Sequence, residues 1–127
     1  MTTIHADEAP RFELPGLVFT GLASPSRGSS DLCTWRLSIE PHFASPDAHT
    51  LDREEIFMVL SGSIALSPDG TAVGPGSASV VPAGTPIQVR TVGDGPAEVI
   101  VAIAAGFSAT MQDGAEIGTP PWRRRQL

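Results

Sequence analysis

Polar and apolar residues alternate strictly through Leu32–Ile39, written LCTWRLSI. Cys33, Trp35, Leu37 and Ile39 fall on one face, and Thr34, Arg36 and Ser38 on the other. A period of two predicts a half-buried β-strand. Residues 55–60, EIFMVL, are apolar after their first member and stop at Ser61-Gly62, which predicts a second strand. Shorter apolar runs at 64–66, 71–73, 78–81, 87–92 and 97–104 follow, and Pro68-Asp69-Gly70, Gly74-Pro75-Gly76, Pro82-Ala83-Gly84 and Gly93-Asp94-Gly95-Pro96 separate them as turns. Upstream, residues 14–22 (LPGLVFTGL) read as a short strand broken at Pro15-Gly16. Residues 24–30 are a loop by composition, and the Pro-rich stretch 41–47 turns the chain. No segment after residue 12 carries a helical period. Short strands roughly ten residues apart, punctuated by Gly and Pro, predict an all-β sandwich or barrel.

Composition agrees. Thirteen glycines and twelve prolines favour turns, while an apolar fraction of 41% over 127 residues suffices for a real core. The expected organisation is a flexible leader over 1–12, one β domain over 13–110 and an extended C-terminal tail over 111–127, in which Pro120-Pro121-Trp122 reads as a strap. A net charge of −6 disfavours a nucleic-acid partner, because phosphate recognition relies on a basic stripe. The basic cluster Arg123-Arg124-Arg125 reads as a solvated tail, with a clamp on an acidic neighbour as the alternative. The longest apolar run, 99–105, is too short to span a bilayer, so no membrane partner is expected. A single cysteine, Cys33, and an N-terminus without a basic and then apolar segment point to the cytoplasm. Cys33 itself reads as core, since a reactive thiol needs an electropositive neighbour that the sequence does not place.

Two stretches stand out by spacing. In the first, His49, Glu55 and Gly62 stand in the order His, five residues, Glu, six residues, Gly. In the second, Gly76, Pro82 and Gly84 stand in the order Gly, five residues, Pro-x-Gly, and about 13 residues separate the two stretches. This register resembles the two motifs of the cupin family: HxH, three or four residues, Glu, six residues, Gly; then Gly, five residues, PxG, two residues, His, three residues, Asn. The resemblance covers roughly residues 32–105 and implies a single-domain jelly-roll β-barrel with an internal pocket. It also implies a metal held by three histidines and the glutamate. Here the chain departs from the pattern: Leu51 stands at the second histidine position, Ile87 at the third and Thr91 at the asparagine. If a divalent ion is bound, His49 and Glu55 are its remaining ligands, and two donors are fewer than catalytic zinc or non-haem iron sites supply. Asp52, Glu54 or His42 would have to complete the set, although alternation puts Glu54 on the opposite face from Glu55. The expected cofactor state is therefore metal-free.

A histidine and a carboxylate in a pocket lined by Leu51, Phe57, Ile87 and Trp35, with His42 at its mouth, form a polar pair in an apolar cavity. His49 and Glu55 then become the candidate catalytic residues of a metal-independent isomerase, epimerase, cyclase or lyase acting on a small, partly apolar molecule. The bland reading is that the two hydrogen-bond each other as passive remnants of a metal site. A non-enzymatic sensor or carrier and a metal-dependent, dioxygenase-like cupin with a reduced ligand set are the other readings. His5 is expected to be solvated, and Gln88 and Arg90 to face outward. The family resemblance further implies a homodimer, for which Val18-Phe19 and Trp122 offer apolar surface.

Overall fold

A computed structural model describes residues 1–111 and 116–118. The first structural device is the Pro15-Gly16 pair. Proline presets φ for the first corner of a turn and glycine takes the second at φ +82°, so two strands fold back on each other in place of one broken strand. These are β1 (Arg11–Leu14) and β2 (Leu17–Gly21), paired antiparallel with Leu14 opposite Leu17. The turn draws the chain into the sheet earlier than expected: β1 begins inside the stretch read as a flexible leader, Ala9 is buried, and Gly21 N–H donates to the Pro10 carbonyl. A single 3-10 turn, Pro25–Arg27, leads into β3 (Leu32–Ile39), whose burial alternates as its sequence does.

The chain continues through β4 (His49–Leu51), β5 (Glu55–Ser61), β6 (Ile64–Ser67), β7 (Ala72–Val73), β8 (Ala78–Val81), β9 (Gln88–Thr91), β10 (Ala97–Ala104), β11 (Ala109–Met111) and β12 (Glu116–Gly118). Every strand pairing is antiparallel. No α-helix occurs among the described residues, and none of their helices is long and apolar enough to cross a membrane. The strands form a six-stranded sheet, β1-β2-β3-β10-β5-β8, and two three-stranded sheets, β12-β11-β4 and β7-β6-β9. The chain is thus all-β as expected, but among the described residues hydrogen bonding does not close these sheets into one continuous barrel. Single bridges, Ala44 with Arg90 and His49 with Ile87, join segments between them. Of the expected tail, Met111 and 116–118 belong to a β11–β12 hairpin that pairs with β4, whereas Pro120, Pro121, Trp122 and Arg123 to Arg125 lie outside the described residues.

Register explains the core. Because directly paired residues share a face, rows of side chains run across the large sheet. Phe19, Leu37, Val99 and Val59 form one row; Trp35, Val101 and Phe57 form the next; Cys33, Ile103 and Glu55 form a third. All but the half-buried Phe19 are buried, and all but Glu55 are apolar. The opposite face carries Arg36, whose Nε donates to Glu98 at 3.0 Å, and Ser38, which donates to the same carboxylate at 2.7 Å. On β5 and β8 that outer face is apolar and exposed at Met58, Leu60 and Val80, which is why β5 reads as a featureless apolar run although its burial alternates.

Candidate functional site

The inner rows of the large sheet do not pack solidly to the end. Between them, β4, β9 and the loop 40–47 lies a cavity of about 660 Å³. Leu17 and Phe19 of β2, Trp35 and Leu37 of β3, Phe57 of β5 and Val101 of β10 make one wall. Leu51, Val89 and Ala109 contribute from the smaller sheets. The Trp35 ring stacks near Phe107, with centroids 6.1 Å apart and planes 27° apart, which fixes the indole that the cavity meets.

Two ionisable groups sit among these walls. Glu55 opens β5 on its inward face, one row beyond Phe57, between Ile103 of β10 and Val81 of β8. It is only 3% exposed, whereas Glu54, one residue earlier, is exposed, as alternation requires. His49 opens β4 and is half-buried. Its backbone exchanges two hydrogen bonds with Ile87, His49 N–H to the Ile87 carbonyl at 3.0 Å and Ile87 N–H to the His49 carbonyl at 2.9 Å, and β11 flanks it through Met111. Leu51, two residues on, faces the cavity as His49 does, and its carbonyl accepts from Gly84 N–H at 2.8 Å. The imidazole and the carboxyl thus reach one cavity from different sheets, each set by strand register and not by a mobile loop.

The mouth is built differently. Glu40, His42, Phe43, Ser45 and Asp47 line it from the loop after β3, and Leu14 and Pro15 line it from the β1–β2 turn. Glu40 N–H donates to the Gly16 carbonyl at 3.0 Å, and a Cβ on Gly16 would fall 2.5 Å from the Phe43 ring. His42 adopts a left-handed φ of +59°, unusual for a non-glycine residue, with Nε2 3.8 Å from the exposed Asp94 carboxylate. Thr91 holds this loop. Its Oγ1 accepts from Phe43 N–H at 2.8 Å and lies 3.0 Å from the Glu40 carbonyl to which it donates, while Thr91 N–H donates to the Phe43 carbonyl at 3.0 Å.

The metal implied by the two motifs does not fit these residues. Among the described residues no three His, Cys, Asp or Glu side chains gather where they could hold an ion. The groups able to complete the set are committed elsewhere: Asp52 Oδ1 accepts from Ser108 N–H at 2.7 Å, Glu54 points to solvent, and His42 sits at the rim. Two donors leave a divalent ion short of the three protein ligands that a catalytic site needs.

Of the residues singled out in the sequence, His49, Glu55, Trp35, His42, Leu51 and Phe57 all line the cavity. Ile87 does not. It is buried in the hydrophobic core, and Val89, two residues along the same face, meets the cavity instead. Phe19, read as dimer surface, also faces the cavity. Sequence reasoning missed Leu17, Leu37, Val101, Glu40 and Asp47. The shared face of Trp35 and Leu37 was a usable signal; the others depend on which strands pair. Cys33 is core as expected, yet an electropositive neighbour exists. Arg27 lies close enough to interact with it, and burial holds the Arg27 guanidinium below its usual pKa while Cys33 opposes that effect.

A model of the cupin domain matches residues 35–103. No protein among those with curated descriptions matches the sequence. Among solved structures, the polyketide cyclase RemF from Streptomyces resistomycificus is similar, with a TM-score of 0.71 and 20% identity over 95% of this chain and 88% of that one. A sugar phosphate isomerase of the cupin superfamily from Silicibacter pomeroyi gives 0.69 and 20%, covering 98% and 96%. KdgF from a Halomonas species gives 0.66 and 16%, covering 82% and 93%. At these identities the likeness establishes the jelly-roll fold.

Proposed function

The chain belongs to the cupin family, and from that premise we propose that its cavity binds a small, largely apolar molecule on which His49 and Glu55 act as an acid–base pair in a metal-independent isomerisation, cyclisation or elimination. One observation carries this reading: the only two ionisable groups set into the strand walls among the described residues, His49 and Glu55, face the same apolar cavity. Small-molecule sites commonly combine greasy walls with a few fixed polar groups. Two of the similar structures are named as a cyclase and an isomerase, which supports the reaction class. The aromatic and aliphatic walls favour a ring-bearing substrate over a bare sugar.

The chemistry needs no more than the pair provides. A neutral imidazole at His49 takes a proton from a carbon next to a carbonyl; the C–H electron pair becomes the carbon–carbon π bond and the carbonyl π pair moves onto oxygen as an enolate forms. Glu55, shielded from bulk water, passes a proton to that oxygen, to a neighbouring carbon or to a departing hydroxyl. Such transfers contribute on the order of 10²–10⁴ in rate.

Deuterium wash-in tests this directly. With 2-tetralone, an apolar two-ring ketone, in D₂O, the protein is expected to accelerate exchange at the carbon beside the carbonyl. His49→Ala and Glu55→Gln should each reduce that acceleration about 100-fold while calorimetry still registers binding. Binding without acceleration in the unaltered protein would leave a carrier or sensor, and absence of binding would remove the whole reading.

A further inference from the structure

The sign of the charge that the cavity tolerates follows from counting cations. The chain contains no lysine and eight arginines, of which Arg123, Arg124 and Arg125 lie outside the described residues. Each of the other five is placed away from the cavity. Arg11 is exposed on the face of β1 opposite Phe12 and Leu14. Arg27 donates to the Leu22 carbonyl and the Ser26 hydroxyl. Arg36 is paired with Glu98 on the outer face. Arg53 and Arg90 are exposed, and Arg90 alternates with Val89, which takes the cavity side. With no α-helix among the described residues, no helix N-terminus supplies positive potential either.

The charges that do line the cavity are of the other sign. Glu40 and Asp47 stand exposed at the mouth, the His42 Nε2 beside them lies 3.8 Å from the Asp94 carboxylate, and Glu55 and His49 are set deeper in the wall. Among the described residues a phosphate or carboxylate entering this space loses its hydration without gaining a guanidinium or ammonium partner, which is the costly case of burying an unpaired charge. It also passes two like charges at the rim. A hydroxyl or amine carries no such penalty and can hydrogen-bond to the carboxyl groups or the imidazoles.

We infer that the cavity selects by charge: it takes neutral or cationic apolar molecules bearing a hydroxyl, carbonyl or amine, and excludes phosphorylated and carboxylated ones. This inference rests on the apolar-cavity reading above and names the substrate class for it. Phosphate esters and sugar acids are thereby set aside, and neutral cyclic ketones, phenols and amines are retained.

Three probes with one ring system separate the possibilities: naphthalene-2-methanol, 2-naphthylmethylamine and 2-naphthoate, titrated by calorimetry into the full-length protein at pH 8 and low salt. The alcohol and the ammonium ion should bind, and naphthoate at least tenfold more weakly than the alcohol. In the Glu40→Gln/Asp47→Asn double variant, both sites being exposed, the gap should narrow severalfold because naphthoate affinity rises. A gap below tenfold in the unaltered protein would overturn the charge selection while leaving the apolar cavity intact. A gap that the double variant does not narrow would overturn the assignment to the rim. If none of the three binds, the apolar-cavity reading itself fails.

Discussion

The two motif-bearing stretches, 49–62 and 76–91, meet at the same cavity yet contribute different things to it. The first supplies polar side chains, His49 and Glu55, on inward positions of β4 and β5. The second supplies backbone and aliphatic surface: Ile87 pins His49 through two main-chain bonds, Val89 lines the wall, and Thr91 fastens the rim loop. One stretch presents the ionisable side chains and the other holds them in place. The lesson is that a motif's spacing can serve geometry where its second and third histidine positions hold Leu51 and Ile87 and its asparagine position holds Thr91. Turns and register still demand the glycines and the proline, whether or not imidazoles hang from the strands between them.

The contrast breaks first at Gly62, where the chemical stretch does structural work. Its φ is +73°, and an added Cβ would collide with the Pro96 carbonyl oxygen at the start of β10. Gly62→Ala is expected to cost about 3 kcal/mol, a fall in Tm on the order of 10 °C by thermal unfolding. A fall of less than a few degrees would mean that the β5–β10 junction yields easily. Next comes Thr91→Val in the holding stretch. The Phe43 amide and the Glu40 carbonyl lose their buried partner, so denaturant titration should register a loss of about 1–2 kcal/mol. Binding of naphthalene-2-methanol should weaken with it, because the rim loop is no longer fixed. Unchanged stability would show that Thr91 merely fills space. The smallest effect sharpens the comparison inside the chemical stretch. Glu54→Gln, one residue from Glu55 but on the solvent face, should alter stability by less than about 0.5 kcal/mol and leave 2-tetralone exchange untouched.

How far the sequence could be read follows from the range of the forces involved. Alternation in β3 and the Gly/Pro turns are local signals, and they placed Trp35, Leu37 and the exposed Glu54 on the correct faces. Motif spacing brought His49 and Glu55 to one cavity. β4 is not legible because three residues, His-Thr-Leu, carry no period; it is a strand only through partners at 87 and 109–111. The β1–β2 hairpin is legible in part, since Pro15-Gly16 signals an interruption without announcing a reversal. Glu40 and Asp47 became rim residues through a loop whose path is set by Thr91, and no local pattern announces that. Ile87 fell in the core because two residues along a strand separate wall from interior, a distance that alternation does not measure.

The fastening by Thr91 also bears on how the molecule comes to exist. Its hydroxyl joins positions 51 and 48 residues away, and the His49–Ile87 exchange spans nearly as much chain. Closing loops of that size is slow relative to forming hairpins, and nothing repays the lost entropy until the distant strand has arrived. The mouth therefore cannot precede the docking of β9. A nascent chain that has passed residue 62 already holds both His49 and Glu55, but it has no vessel to put them in until some thirty more residues have been added.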